Sequence, residues 1–293
     1  MEGKQRRAMR NAISVDIEDY FHPSEVLRSS VGASWEELPS RVTESTRRVL
    51  ALFSRHRVKG TFFILGWVAD RNPELIREIA AEGHEIGCHS YLHRLVYELT
   101  PAEFAADTMQ AVEAIERACG IRPVCYRAPS YSITRRSLWA WRILAECGFT
   151  HDSSVYPIVH DRYGIPDFPL SPQRIETGAG PLIEIPVATI QLGTARAPVG
   201  GGGYLRLLPY RYTAAGLRRI ERDTAQPACL YFHPWEIDDG QPRIAGGLIA
   251  RMRTYLGLRA MESKLERLLT EFEFGPLGEV YRDVPVEAVW HEC

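Results

Sequence analysis

TFFILGWVADRNPELIREIAAEGHEIGCHSYLH, residues 61–93, contains one full turn of the alternation that decides the fold. Thr61 to Leu65 is a β-branched and aromatic run of strand length, closed by Gly66. Pro73 to Glu82 opens on a proline, carries Leu75, Ile76 and Ile79 at helical spacing, and stops at Gly83. Glu85 to Cys88 is the next short strand. Strand, helix and strand in about thirty residues make a βαβ unit, whose two strands run parallel.

The pattern continues on both sides. Upstream, Ala12 to Val15 is a short apolar strand that ends in acids, and Ser40 to His56 has helical spacing through Val42, Val49, Leu50, Leu52 and Phe53. Downstream come an amphipathic helix from Pro101 to Cys119, a strand at Val124–Tyr126 and a helix from Ser137 to Cys147. Repeated units of this kind predict an α/β fold, a parallel sheet with helices outside it, as in a barrel. Polar clusters fall just after the strands, where a barrel builds its site. Beyond residue 157 the texture changes. A strand over Ile183–Leu192, a helix over Pro209–Asp223 and a strand over Cys229–Phe232 frame the glycine run Gly200–Gly203. That run has no following lysine and serine or threonine, so it is read as a loop beside the site and not as a phosphate-binding loop. Arg243 to Phe274 is a basic amphipathic helical segment expected to pack on the barrel. The predicted organisation is a tail at 1–10, a barrel at 11–242 and a helical extension of the same domain at 243–293.

Composition sets bounds on function. The chain has 293 residues, is 45% hydrophobic and has a formal charge of −2, enough for a large core and with no basic stripe for nucleic acid. The basic residues Lys4, Arg6, Arg7 and Arg10 lead straight into a strand, and Asp16, Glu18 and Asp19 interrupt the apolar run a signal peptide needs. No stretch reaches the roughly 18 apolar residues of a membrane span. A cytoplasmic location is the default expectation, although a polymer substrate pulls the other way. The six cysteines form no Cys-x-x-Cys pair, which argues against a zinc ribbon.

The chemistry sits in two stretches. In Gly87–His93, His89 and His93 are four apart, a spacing that brings two imidazoles to one face of a helical turn and to one metal. In Val15–Phe21, Asp16, Glu18 and Asp19 crowd the end of a buried strand, which is costly unless a cation or basic group faces them. Two histidines and one carboxylate leave positions open for water and substrate, and a second carboxylate can serve as base. His233, just past a strand, is a candidate for proton transfer, with Trp235 beside it.

The ordered segments Ser14–Phe21, Gly60–Gly66, Gly83–His93, Tyr126–Ile133, His151–Pro157, His160–Gly164 and Tyr231–Ile237 resemble the polysaccharide deacetylases, carbohydrate esterase family 4, and more narrowly the subgroup associated with exosortase and exopolysaccharide loci. The resemblance implies a distorted (β/α) barrel with fewer than eight repeats and a divalent ion, zinc first. It also implies that Asp16 is the catalytic base, that His89 and His93 are ligands, and that Arg127 holds the base. By the same resemblance His233 is the general acid and Asp152 the group that orients and charges it. The family has two adjacent aspartates where this chain has Asp16-Ile17-Glu18-Asp19. Strand alternation points Glu18 the same way as Asp16, but Asp19 is favoured as the third ligand because aspartate is the family's usual one. Tyr131, Trp235 and Tyr20 are expected at the sugar, with His22 and His160 to Tyr163 at the rim, and backbone N–H groups of Ser130 and Tyr131 toward the oxyanion. The expected reaction is removal of acetyl groups from an N-acetylated polysaccharide or oligosaccharide, with release of acetate. A metal-independent amidohydrolase of cyclic amides, allantoinase-like, and a non-catalytic glycan-binding protein are the alternatives.

Overall fold

The structure, a computed structural model, describes residues 9–23, 35–243, 248–286 and 289–290. Most of the expected tail lies outside the described residues, as does Cys293. Strand β1 spans Arg10–Ile17, β2 Thr61–Ile64, β3 Glu85–Cys88, β4 Cys125–Tyr126 and β5 His151–Asp152. They are followed by β6 (Gln173–Glu176), β7 (Pro181–Glu184), β8 (Thr189–Leu192), β9 (Ala195–Pro198), β10 (Cys229–Phe232), β11 (Glu273–Gly275) and β12 (Val289–Trp290).

One sheet runs in the order β10-β1-β2-β3-β4-β5-β7-β6-β12, with β11 also beside β1. Every pairing in it is parallel except β6 with β7. The sheet curls into a half-barrel with helices around it, so the α/β class and the reduced repeat number hold, but β10 and β12 end it as edges. β2 is buried along its whole length, as strands covered on both faces must be. The helix Pro101–Cys119 shows how local chemistry sets its ends. Thr100 and Glu103 form a reciprocal capping box, proline opens the first turn, and Gly120 closes it at φ 73°.

Two expectations change. The single strand over 183–192 divides into β7 and β8, because Pro186 has no N–H to give a ladder; β8 instead pairs with β9 in a separate hairpin. The segment 243–274 is two helices, Leu248–Tyr255 and Leu258–Glu271, broken at Gly257 (φ 86°), and its end becomes β11. Met261, Leu265 and Leu268 of the second helix are fully buried in the main core. Lys264 donates to the carbonyls of Leu205, Arg206 and Leu208 at 2.9, 2.8 and 2.7 Å, satisfying the end of the short helix Gly202–Leu207. The five described cysteines are free, three of them buried as small hydrophobes. Among the described residues no helix is long and apolar enough to cross a membrane.

Candidate active site

Parallel register brings the C-terminal ends of the strands together: Asp16 is paired with Phe63, Phe63 with Gly87, Cys88 with Tyr126, and Val15 with Phe232. Asp16, Glu18, His89, His93 and His233 therefore line one cavity of about 350 Å³.

Glu18, His89 and His93 each offer a ligand atom, and these atoms lie within 4.8 Å of one another, all in buried residues. His89 Nδ1 is 2.8 Å from the Arg127 carbonyl, so this nitrogen donates and Nε2 keeps its lone pair for a metal. Burial pulls the His89 pKa down to about 4, which keeps it the neutral imidazole a metal needs. Glu18 Oε2 stands 2.8 Å from His93 Nε2 yet makes no hydrogen bond, and His93 Nδ1 has none either. Two imidazoles and one carboxylate that converge in a buried site, with their ligand atoms within 4.8 Å of one another, fit a zinc-type ion.

The two histidines do not share a helical turn. They lie on a loop after β3 in which Ser90 and His93 take φ of 65° and 53°. The Ser90 hydroxyl accepts from the His93 amide at 3.1 Å, and Asp107 accepts from the Tyr91 and Leu92 amides at 2.8 and 3.2 Å. Ser130 and Tyr131 are also left-handed, at 51° and 53°, so four of the six such non-glycine residues described sit on the loops of this site. Such conformations cost about 1–3 kcal/mol each and persist only where the surroundings enforce them.

The three acids part company. Asp16 accepts from Arg127 Nη1 at 2.8 Å, and Arg127 is held in turn by Ser14 Oγ, Ser153 O and Ser153 Oγ at 2.7, 3.1 and 3.0 Å. Glu18 continues the alternation into the cavity. Asp19, favoured as third ligand by sequence, turns away. Its carboxylate accepts from the Tyr20, Arg41 and Val42 amides and the Ser40 hydroxyl at 2.6–3.1 Å, capping the helix Val42–Arg55.

His233 Nδ1 bonds Glu236 Oε2 at 3.0 Å, and its Nε2 lies 3.4 Å from Glu18 and 3.8 Å from Asp16. Burial opposes charge on His233, but Glu18, the Glu236 hydrogen bond and Asp16 outweigh it and push its pKa up to about 9. Glu236 is fixed by Arg206 at 2.5 Å, both side chains buried. Asp152, expected to partner His233, has other partners: Trp141 Nε1 at 3.0 Å, the Ser154 hydroxyl, and the neighbouring Glu184. Ser154 also accepts from the Ala128 amide at 2.8 Å, so Asp152 braces the chain behind Arg127. Glu236, Arg206 and Asp107 were missed as site residues, although His233-Pro-Trp-Glu236 puts a carboxylate three residues after the histidine, the spacing of a capping box.

Other expectations are corrected by burial. Tyr20 is 1% exposed and donates its hydroxyl to Pro39 O, and His22 is fully buried, accepting from the Asp19 amide at 2.7 Å. Neither lines the cavity. Trp235 does, but its Nε1 donates to Glu18 at 3.1 Å and its ring stacks on His233. The Tyr131 amide donates to Ala128 O, so it is committed inside its own turn, while the Tyr131 ring reaches the cavity.

Asp152 and Glu184 face each other across β5 and β7. Burial, then Asp152, raises the Glu184 carboxyl well above 4.5. A raised folded pKa means stability present at low pH is lost as pH climbs from about 4.5 through the folded value. Glu184→Gln should flatten that decline, because an amide keeps the donor and never ionises. Urea midpoints across the range test this; equal slopes in both proteins would refute it.

Residues 25–151 match the family described as polysaccharide deacetylase, and residues 153–282 match one described as a domain of unknown function (DUF3473). Over 114 residues the chain is 32% identical to a peptidoglycan-N-acetylglucosamine deacetylase of Bacillus cereus, covering 39% of this chain and 41% of that protein. Over 74 residues it is 40% identical to a chitooligosaccharide deacetylase of Bradyrhizobium, covering 25% and 34%. The chain thus spans less than half the length of these relatives. A Mycobacterium smegmatis protein described as a polysaccharide deacetylase has the same fold, with a TM-score of 0.65 at 20% identity over 97% of this chain and 92% of that one. An allantoinase shares it too, at 0.63 and 16% identity over 95% and 91%.

Proposed function

Because this chain carries a polysaccharide deacetylase domain of carbohydrate esterase family 4, we propose that it is a metal-dependent hydrolase that removes N-acetyl groups from an amino-sugar polysaccharide. The observation that carries this reading is the convergence, in one cavity, of a Glu18–His89–His93 donor set, the Asp16–Arg127 pair and the His233–Glu236 pair. An ion held by the three donors, zinc first, would polarise the acetamide carbonyl and acidify water.

The chain supplies the proton transfers. Asp16, held in place by Arg127, takes a proton from the attacking water. His233, held charged by Glu236 and its acidic neighbours, gives a proton to the nitrogen as the carbon–nitrogen bond breaks, leaving acetate and a free amine. The exopolysaccharide role rests on the motif resemblance to the exosortase-associated subgroup. Keeping the donor set intact disfavours the metal-independent amidohydrolase.

The test is acetate release from N-acetylated oligosaccharides by the purified protein. Release should require zinc or cobalt, stop with chelator, and disappear in His89→Ala. Release indifferent to chelator and to that substitution would overturn the metal mechanism. Turnover of allantoin, with none of any glycan, would favour the amidohydrolase.

A further inference from the structure

The surroundings of the cavity carry apolar side chains that the fold leaves uncovered. Among the described residues eight large hydrophobic residues are exposed, and the three most exposed are Val159, Leu256 and Met252, at 84%, 55% and 51%. All three adjoin residues of the cavity wall. Val159 precedes His160 and Arg162, and Met252 and Leu256 flank Thr254. Leu207, 45% exposed, lines the cavity itself.

Three of these four residues belong together. Met252 and Leu256 are four apart on the helix Leu248–Tyr255 and its last turn, where the Leu256 amide donates to Met252 O at 3.1 Å, so they share one face. Thr254 and Leu258 turn inward and are buried. The end of this helix is pressed onto the short helix Gly202–Leu207. Arg206 Nε donates to the Leu256 carbonyl at 2.8 Å, and a Cβ on Gly257 would lie 2.9 Å from the Arg206 carbonyl oxygen. Leu207 and Leu256 thus stand on adjoining stretches of backbone.

The charge beside this face has one sign. Residues 248–259, LIARMRTYLGLR, hold Arg251, Arg253 and Arg259 and no acid, in a chain whose formal charge is −2. Arg251 is exposed, and Arg259 keeps 92% of its side chain in solvent, with Asp239 3.8 Å away. A helix with aliphatic residues outward and arginines next to them suits the interface of an anionic bilayer, its apolar tips among the acyl chains and its guanidinium groups at the phosphates. The four exposed residues are all aliphatic, whereas the anchors of a protein interface are enriched in aromatic rings.

We propose that the face formed by Leu207, Met252 and Leu256, with Val159 beside the same cavity, docks this protein on an anionic phospholipid bilayer. Arg251 and Arg259 meet the lipid phosphates, and the helix lies on the surface without crossing it. Docked in this way, the cavity opens beside the bilayer. On the deacetylase reading that favours a glycan held at the membrane surface, but the docking itself does not depend on that reading.

Flotation of the full chain with lipid vesicles tests it. Vesicles of phosphatidylcholine mixed with phosphatidylglycerol should carry the protein, more at low salt than at high, and vesicles of phosphatidylcholine alone should carry less. Arg251→Glu combined with Arg259→Glu should weaken binding to the mixed vesicles at least about tenfold, since each cation near such a surface is worth about fivefold. Met252→Ser combined with Leu256→Ser should weaken it at least about tenfold as well. Leu192→Ser, at a residue 43% exposed on β8 and outside the cavity lining, should float like wild type. All the altered side chains lie in solvent, so melting temperatures and acetate release from soluble oligosaccharides should stay unchanged. Wild type that floats with neither vesicle, floats no better on the anionic one, or is matched by both double variants overturns the proposal. So does light scattering that finds a wild-type dimer dispersed by Met252→Ser with Leu256→Ser, which would make this face a contact between copies. Flotation that follows the expected pattern, with no acetate release from any glycan under added metal, would leave the docking standing and sink the deacetylase reading.

Discussion

Glu18→Gln is expected to weaken zinc binding by at least about 10–100-fold, while Asp19→Asn leaves it nearly unchanged and destabilises the fold. The two acids are adjacent in sequence but face different partners. Glu18 stands with His89 and His93, its Oε2 buried without a hydrogen bond, a position that an amide fills poorly as a ligand. The magnitude is set from below by groups that only support ligands, whose loss already costs about 10–100-fold in affinity. Asp19 spends its oxygens on four donors around the start of the helix Val42–Arg55. An asparagine there keeps one acceptor and leaves buried donors unmet, at about 1–3 kcal/mol. Competition with a chromophoric chelator reads the first effect and urea unfolding the second. If Asp19→Asn lost the metal and Glu18→Gln kept it, the proposed donor set would be wrong.

The other large effect concerns proton transfer. Asp16→Asn and His233→Gln are each expected to lower kcat for acetate release by about 10²–10⁴-fold, the range of a positioned base or acid. Combining them should cost far less than the product, since both act on one turnover. The sharper comparison is between the two candidates for the group behind His233. Glu236 lies 3.0 Å from His233 Nδ1 and is held by Arg206, whereas Asp152 bonds Trp141 and Ser154. Glu236→Gln should lower kcat and move the alkaline limb of the pH–rate profile downward, because His233 then loses a charge that raises its pKa. Asp152→Asn should leave that limb in place and change stability instead. A limb that moved with Asp152 and not with Glu236 would return the role to Asp152.

The errors of the sequence reading have a common cause. His89 and His93 were legible as a pair, but their meeting through a helical turn was not what the chain does. Four residues can also be folded back by a left-handed loop, and the bonds that enforce it come from Ser90 and from Asp107 on the distant helix Pro101–Cys119. Glu18 against Asp19 turned on whether β1 had ended. Alternation alone favours Glu18, whereas the family's usual aspartate ligand favours Asp19. Tyr20 is expected at the sugar and His22 at the rim, yet the chain turns inward there and buries both.

The sequence by itself determined the elements and the order of the chemistry. Hydrophobic period, glycine stops and proline starts are local, and they mark the alternation of strand and helix and set acids, histidines and Arg127 just after strands. A parallel sheet then carries those positions to one edge without further instruction. What only the tertiary structure decided is which polar atom faces which. Asp16 meets Arg127, Glu18 meets the histidines, Asp19 caps a helix and Glu236 serves His233, because each contact joins groups that strand register, loop handedness and helix ends bring together in space. A side chain's partner depends on distances across the fold, and those distances do not exist along the chain.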